Sequence, residues 1–221
     1  MKILNLFAGI GGNRTLWGDK HEITSIEINQ QIACVYHKRF PKDKTIIGDA
    51  YDFFEKHYKE FDFIWASPPC PTHSCMMSLQ KNKKLPEMKL WSLIIFLKTW
   101  SKALWLVENV KSYYKPLVNP TTFLGRHSIW SNIPLTNKRF DNKVRQEEKK
   151  INNARARGFM KLKDDLKWLS NKHKIDLDLL NGFSKGKKIR ILRNCVDYRI
   201  GNHVLKSLNK QTILGDFLSN Q

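Results

Sequence analysis

Five short apolar runs, each separated from the next by a stretch of different periodicity, dominate the first half of this chain: Lys2 to Phe7, Glu22 to Ile28, Thr45 to Ile47, Phe61 to Ala66 and Leu104 to Val107. The intervals read as helices. A short one follows a glycine cluster through Leu16, and others cover Gln30 to Phe40 and Asp52 to Tyr58. Leu90, Leu93, Ile94 and Leu97 then recur at helical spacing. Parallel strands need a crossover between them, and a helix is the usual one. Strands alternating with helices therefore predict an α/β fold, a doubly wound and mostly parallel sheet. Such sheets bind ligands outside the carboxyl ends of their strands. The residues just after each run are the ones that carry chemistry.

The chain has 221 residues, enough for one domain with a core and an appendage. Its 39 Lys and Arg against 20 Asp and Glu give a net charge of +19. That excess costs self-repulsion and implies a polyanionic partner, nucleic acid before a membrane surface. No lipidation motif or basic amphipathic helix with an aromatic face supports the membrane. Leu90 to Val107 carries Lys98 and Lys102 and does not read as a membrane span. The apolar start of MKILNLFAGIGG is too short for a signal peptide. Cys34, Cys70, Cys75 and Cys195 are too sparse for a disulfide scaffold, so a reducing cytosol is expected. From Lys138 to Lys188 the chain turns basic and mostly helical, and NKVRQEEKKINNARAR (142–157) has few large apolar side chains. A last helix runs from Asn194 or Asn202 towards Leu218.

Three strand ends offer a binding site. LFAGIGG (6–12) places Gly9, Gly11 and Gly12 after the first strand, where glycine lets a backbone approach a ligand. It matches neither the dinucleotide pattern nor a Walker loop, which favours a nucleoside-bearing cofactor without a phosphate requirement. Glu27 ends the second strand, where a carboxylate accepts from ribose hydroxyls. Asp49 follows the third, placed to accept from an adenine amino group, with Asp52 the better helix cap.

The fourth strand ends in SPPCPTHS (67–74). Pro71 restricts Cys70, and Pro68 and Pro69 restrict the approach, so a thiol there is preorganised as a nucleophile. Cys70, His73 and Cys75 also allow a metal loop, but Cys-x2-His-x-Cys lacks a partner pair unless Cys34 and His37 fold over it. A buried structural cysteine is the third reading. The fifth strand ends in Glu108-Asn109-Val110, bringing an acid to the same sheet edge as Cys70. A nucleophilic thiol beside a carboxyl group suggests covalent chemistry assisted by an acid.

Together these stretches resemble the DNA cytosine-5 methyltransferases. LFAGIGG is similar to their first motif, SPPCP to their Pro-Cys motif and VENV to their Glu-Asn-Val motif, in the same order and spacing over residues 1–135 and the C-terminal segment. The resemblance implies the Rossmann-like fold of S-adenosylmethionine-dependent methyltransferases, with a small basic helical insertion. It implies a core over 1–135, a reduced target-recognition segment over 136–189 and a C-terminal helix over 190–221 that completes the core. It implies attack of Cys70 on carbon 6 of a flipped-out cytosine, Glu108 at ring nitrogen 3, and methyl transfer to carbon 5. Pro69 and Asn109 would support the catalytic loop, Asn109 as its brace. Phe7, Ala8, Gly9, Gly11, Gly12, Glu27, Ile28, Asp49, Ala50, Pro68, Asn194 and Val196 would hold the cofactor. Ser74, Arg126, Arg155 and Arg157 would contact double-stranded DNA. No metal is implied.

The departures are specific. Pro71-Thr72-His73 replaces other side chains of the family's loop, which closes on DNA. The Gln-x-Arg-x-Arg motif survives only as Gly125-Arg126-His127-Ser128-Ile129-Trp130, leaving Arg126 either at the flipped base or on a surface strand. The last motif fits Asn194-Cys195-Val196 or Gly201-Asn202-His203-Val204, with the first favoured and Gly201 then a helix-packing position. Residues 136–189 suit phosphate contacts and leave little room for base reading, which predicts short or relaxed specificity. The reduced size resembles phage or mobile-element enzymes, implying a role in masking DNA from restriction in the cytoplasm of a prokaryotic or phage-infected host cell; a monomer is expected. RNA methylation, as in the tRNA-modifying branch, and a non-catalytic nucleic-acid-binding protein of the same fold are the alternatives.

Overall fold

The structure, a computed structural model, describes residues 1–74, 84–140, 150 and 162–218. Strands β1 (Lys2–Leu6), β2 (Glu22–Glu27), β3 (Lys44–Ile47), β4 (Phe63–Ala66) and β5 (Leu104–Val110) lie parallel, and β6 (Thr122–Leu124) and β7 (His127–Ser131) close one side antiparallel. The order is β3-β2-β1-β4-β5-β7-β6. The order reverses between β1 and β4, which opens a crevice at their carboxyl ends. The glycine turn and the Pro-Cys loop both leave from that crevice.

Period-two alternation sorts the strands between two faces. Leu4, Leu6, Ile64, Ala66 and Val107 pack under helices α2 (Ala50–His57) and α3 (Lys89–Trp100). Ile3, Phe63, Trp65, Leu106 and Ile129 meet Ile200, Val204, Leu205 and Leu208 of α6 (Tyr198–Leu218) on the other. In α3, Leu90, Trp91, Leu93, Ile94 and Leu97 make one buried stripe. Their burial stabilises by roughly 10 kcal/mol at about 2 kcal/mol per side chain, an upper bound against an extended chain.

Helix α1 (Gln30–Arg39) starts where the Asn29 side chain accepts from the Ile32 amide and ends at Phe40, ahead of Pro41. Helix α2 corrects the expected cap. Asp49 Oδ1 accepts from the Tyr51 and Asp52 amides at 2.7 and 3.3 Å, so the helix begins at Ala50 and Asp52 sits inside its first turn.

The β6–β7 hairpin was not expected from sequence. Its two-residue loop is Gly125-Arg126, with Gly125 at φ 63°. Glycine with positive φ at the first loop position is the pattern of a type II′ turn, whose twist suits a hairpin. Pairing with β7 also carries β5 past Val107 to Val110.

Helices α4 (Leu162–His173) and α5 (Lys185–Asn194) follow. The segment's few apolar residues share one side. Leu166, Leu169, Ile175, Leu180, Ile189 and Leu192 cluster with Ile10 and Val35. The 189/190 boundary drawn from sequence therefore falls within α5, which packs on the core. No helix among the described residues is long and apolar enough to cross a membrane.

Candidate active site

The first wall of the crevice is the turn after β1. Phe7 takes a left-handed backbone (φ 56°), costly for a bulky residue and frequent where a fold stores strain at a site. Its ring packs edge-on against Tyr51, 5.0 Å between centroids. Glu27 ties this turn to the next one: Oε2 accepts from the Gly9 amide and Oε1 from the Asn29 amide, both at 2.9 Å.

The three glycines differ in what they face. Gly9 has φ 55° and open space where a Cβ would stand. A Cβ on Gly11 would meet the Tyr36 and Phe40 rings, and one on Gly12 would stand 2.1 Å from Val196 O and 2.4 Å from Cys195 Sγ. Gly11 and Gly12 admit α1 and the turn before α6 close against the β1 loop. Of the three, Gly9 alone faces open space. Ala8 and Ala50 are buried, Ile28 is exposed beside Glu27, and Asp49 is half-buried.

Asn194 is exposed at the end of α5, and Cys195-Val196 forms the turn that enters α6. Gly201 and Asn202 lie inside α6, and a Cβ on Gly201 would stand 1.9 Å from Asn13 O. Gly201 is thus a packing position of the last helix.

The second wall is the Pro-Cys loop. Pro68 is buried, Pro69 exposed and Cys70 half-buried. The His73 and Ser74 amides both donate to Cys70 O at 3.1 Å, closing a tight turn behind the thiol. Asn109 Nδ2 donates to Pro68 O at 3.0 Å, and its Oδ1 accepts from the Val110 amide. His73 is buried, with Nδ1 2.5 Å from the Tyr114 hydroxyl and its ring edge-on to Trp91. The Tyr113 amide donates to His73 O, and Ser74 bridges Ser112. The loop tail is sewn to the segment after β5, a role the sequence did not reveal for His73.

Glu108 lies one strand away from Cys70 and is only 6% exposed, not the solvated strand-end residue that a strand stopping at Val107 would give. Burial pushes the Cys70 thiol up, the Glu108 charge pushes it further, and Arg126 pulls it back. The resting thiol is therefore held in its protonated form. Arg126 itself is exposed on the hairpin loop. Its neighbour His127 turns inward, with Nδ1 3.5 Å from Glu108 Oε1. No sequence signal marked His127 beyond its place beside Arg126.

Among the described residues no group of three His, Cys, Asp or Glu is placed to hold a metal ion. Cys75 of the metal reading, and Arg155 and Arg157 of the expected DNA contacts, lie outside the described residues.

The family model for C-5 cytosine-specific DNA methylases matches residues 1–122. No curated protein sequence matches the chain. Among solved structures, a mutant of Spodoptera frugiperda DNMT2 is similar in fold, with 16% identity, TM-score 0.60, and coverage of 94% of this chain and 99% of that one. The Entamoeba histolytica methyltransferase EhMeth is similar over 50% of this chain and 38% of its own, at 19% identity and TM-score 0.36. The matched residues span more than half of the chain and include the glycine turn, the Pro-Cys loop and Glu108-Asn109; the chain belongs to the C-5 cytosine-specific DNA methylase family.

Proposed function

We propose that this chain methylates carbon 5 of cytosine in DNA through a covalent bond between Cys70 and carbon 6 of a base flipped out of the duplex. The observation that carries the proposal is the placing of Cys70 and Glu108 at the carboxyl ends of the adjacent, parallel-paired strands β4 and β5.

The chemistry assigns each group a task. The Cys70 thiol loses its proton to solvent, and its sulfur bonds to carbon 6 as the carbon 5–carbon 6 double bond yields its electron pair to the ring. The Glu108 carboxyl holds ring nitrogen 3, where the electron pair displaced from the ring accumulates. Glu108 gives nitrogen 3 the proton it shares with the base as that pair arrives, so negative charge does not build on the ring. Methylation of carbon 5 draws the pair back from nitrogen 3, whose proton returns to Glu108; a solvent base then takes the carbon 5 proton, the double bond to carbon 6 re-forms, and sulfur leaves with the carbon–sulfur pair as the Cys70 thiolate. Asn109 keeps the loop in place throughout.

The residues fit S-adenosylmethionine as methyl donor. Gly9 borders open space, while Phe7, Glu27 and Asp49 surround the same crevice mouth. S-adenosylmethionine would supply the methyl group to carbon 5. Exposed Lys111, Lys115, Arg126, Lys138 and Arg139 cluster in sequence around the β5 end and the hairpin, and they suit phosphate contacts. Short or relaxed specificity and a role in masking DNA from restriction in a host cytoplasm belong to the same reading.

The test is incubation with a duplex containing 5-fluorocytosine and S-adenosylmethionine, beside labelled methyl transfer to duplex DNA and to tRNA. The expected result is a covalent adduct on the Cys70 peptide and label in DNA. Label in tRNA alone would move the substrate to RNA. Undiminished transfer by Cys70→Ser would remove the nucleophile assignment. Bisulfite sequencing that revealed a strict site of six or more bases would overturn relaxed specificity.

A further inference from the structure

The side chain that faces Glu108 is His127, not the arginine beside it. Pairing of β7 with β5 puts Ile129 opposite Glu108 and His127 opposite Val110. Opposed residues of an antiparallel pair share a face, and the face repeats every second residue. Glu108 and His127 are therefore diagonal neighbours on one face, while Asn109 projects to the other. The His127 and Glu108 side chains are 12% and 7% exposed.

Their separation is informative. Nδ1 of His127 and Oε1 of Glu108 are 3.5 Å apart, somewhat beyond the usual range of about 2.7–3.2 Å for a hydrogen bond. Nδ1 is buried and makes no other hydrogen bond. A buried polar atom without a partner is costly, so a small closure of this gap is favourable. Charges surround the ring from several elements. Glu108 acts from β5, Arg126 from the hairpin loop, Lys172 from α4 and Asp197 from the turn before α6. The two anions favour the charged ring and the two cations oppose it. Burial is the largest influence and keeps the imidazole neutral below its ordinary range.

We propose that His127 is a positioning residue for Glu108, donating from Nδ1 to Oε1 and so directing the other carboxyl oxygen to ring nitrogen 3 of the target base. With Oε1 accepting from the imidazole, Oε2 is the oxygen left to carry the proton shared with the base. His127 keeps its own proton throughout. The proposal rests on the cytosine-methylation reading, but the contact itself is testable without turnover.

The experiment has two arms on the full-length chain. In the first, imidazole nitrogens are followed by NMR through a pH titration in the wild type and in Glu108→Gln, with the His127 signal assigned by its loss in His127→Asn. Removing the carboxylate should shift the His127 titration to lower pH; an unmoved titration would overturn the contact. In the second, single-turnover methyl transfer is compared for His127→Leu and His127→Asn, whose amide nitrogen stands near the place of Nδ1. Leucine should slow the step about 100-fold with substrate affinity unchanged, the scale of a lost orienting contact, and asparagine should recover most of it. A wild-type rate in the leucine variant, or equal losses in both variants, would overturn positioning. If the wild type methylates no cytosine at all, the function reading fails while the titration still decides the contact.

Discussion

Asn109 Nδ2 donates to the carbonyl of Pro68 at 3.0 Å, joining two strand ends 41 residues apart in sequence. Glu108, the preceding residue, points to the opposite face of β5 by the strand period. One strand end thus braces the Cys70 loop from one face and presents an acid from the other. Asn109→Ala would strip the Pro68 carbonyl and the Val110 amide of their partner. We expect a loss of about 1–3 kcal/mol, the cost of buried unpaired groups, measurable by urea denaturation. Turnover should fall further than stability explains, with cofactor KM unchanged, because the loop that carries Cys70 loses its tether. A variant that turned over normally would show that the prolines alone hold the loop.

The five parallel strands were legible because each is an apolar run bounded by polar residues, and the three motif stretches fell at their ends. The hairpin was not read, although Phe123-Leu124 and His127 to Trp130 flank a Gly-Arg loop. Its strands are only 3 and 5 residues long, too short for alternation to stand out. The burial of Glu108 and the inward face of His127 both depend on that β7 pairing. Asp49 and Asp52 are both good caps by residue type, and only the backbone of β3 decides that the helix starts at Ala50. The basic texture of 136–189 concealed Leu166, Leu169 and Leu180, whose common side depends on contacts with Ile10 and Val35. A pattern of charge announces a surface; it does not reveal the small apolar stripe beneath it.

Two glycines in helices should respond to alanine in opposite ways. In α6, a Cβ on Gly201 would stand 1.9 Å from Asn13 O, and backbone cannot yield as a flexible side chain does. Gly201→Ala should therefore destabilise by about 3 kcal/mol or more, the upper range for overpacking. In α5, Gly186 meets nothing within 4 Å. Gly186→Ala should stabilise by about 0.5–1 kcal/mol, the helix preference of alanine over glycine. Thermal unfolding of the pair checks both signs; a tolerated Gly201→Ala would mean that α6 does not sit against the Asn13 turn as closely as described.

His173 should make the fold acid-sensitive. The side chain is 3% exposed, and burial, helped by the Lys172 charge, pushes its pKa from 6.5 down to about 4. The unfolded chain binds this proton more readily than the folded one between those values, so stability falls as pH falls. The contribution is complete above pH 6.5 and lost through about pH 4, and it amounts to roughly 3 kcal/mol from the shift. Denaturation midpoints at pH 7 and pH 4.5 should differ less in His173→Leu than in the wild type. Equal acid losses in both proteins would assign the sensitivity elsewhere.

Thiol reactivity gives a view of the site that needs neither cofactor nor nucleic acid. The Cys70 thiol is raised by burial first, then by Glu108, and eased by Arg126. Iodoacetamide reacts with the thiolate, so the alkylation rate of the Cys70 peptide tracks the fraction ionised. Glu108→Gln removes the opposing charge and should shift the pH profile of alkylation to lower pH, making Cys70 react faster at a given pH below its midpoint. Arg126→Ala should shift the profile the other way. The same Glu108→Gln variant should lose methyl transfer, because the amide cannot supply a proton at ring nitrogen 3. A thiol made more reactive in an enzyme made less active would separate the two tasks of Glu108. Profiles unmoved by either substitution would mean that these charges do not reach Cys70, and the site would have to be redrawn around the loop alone.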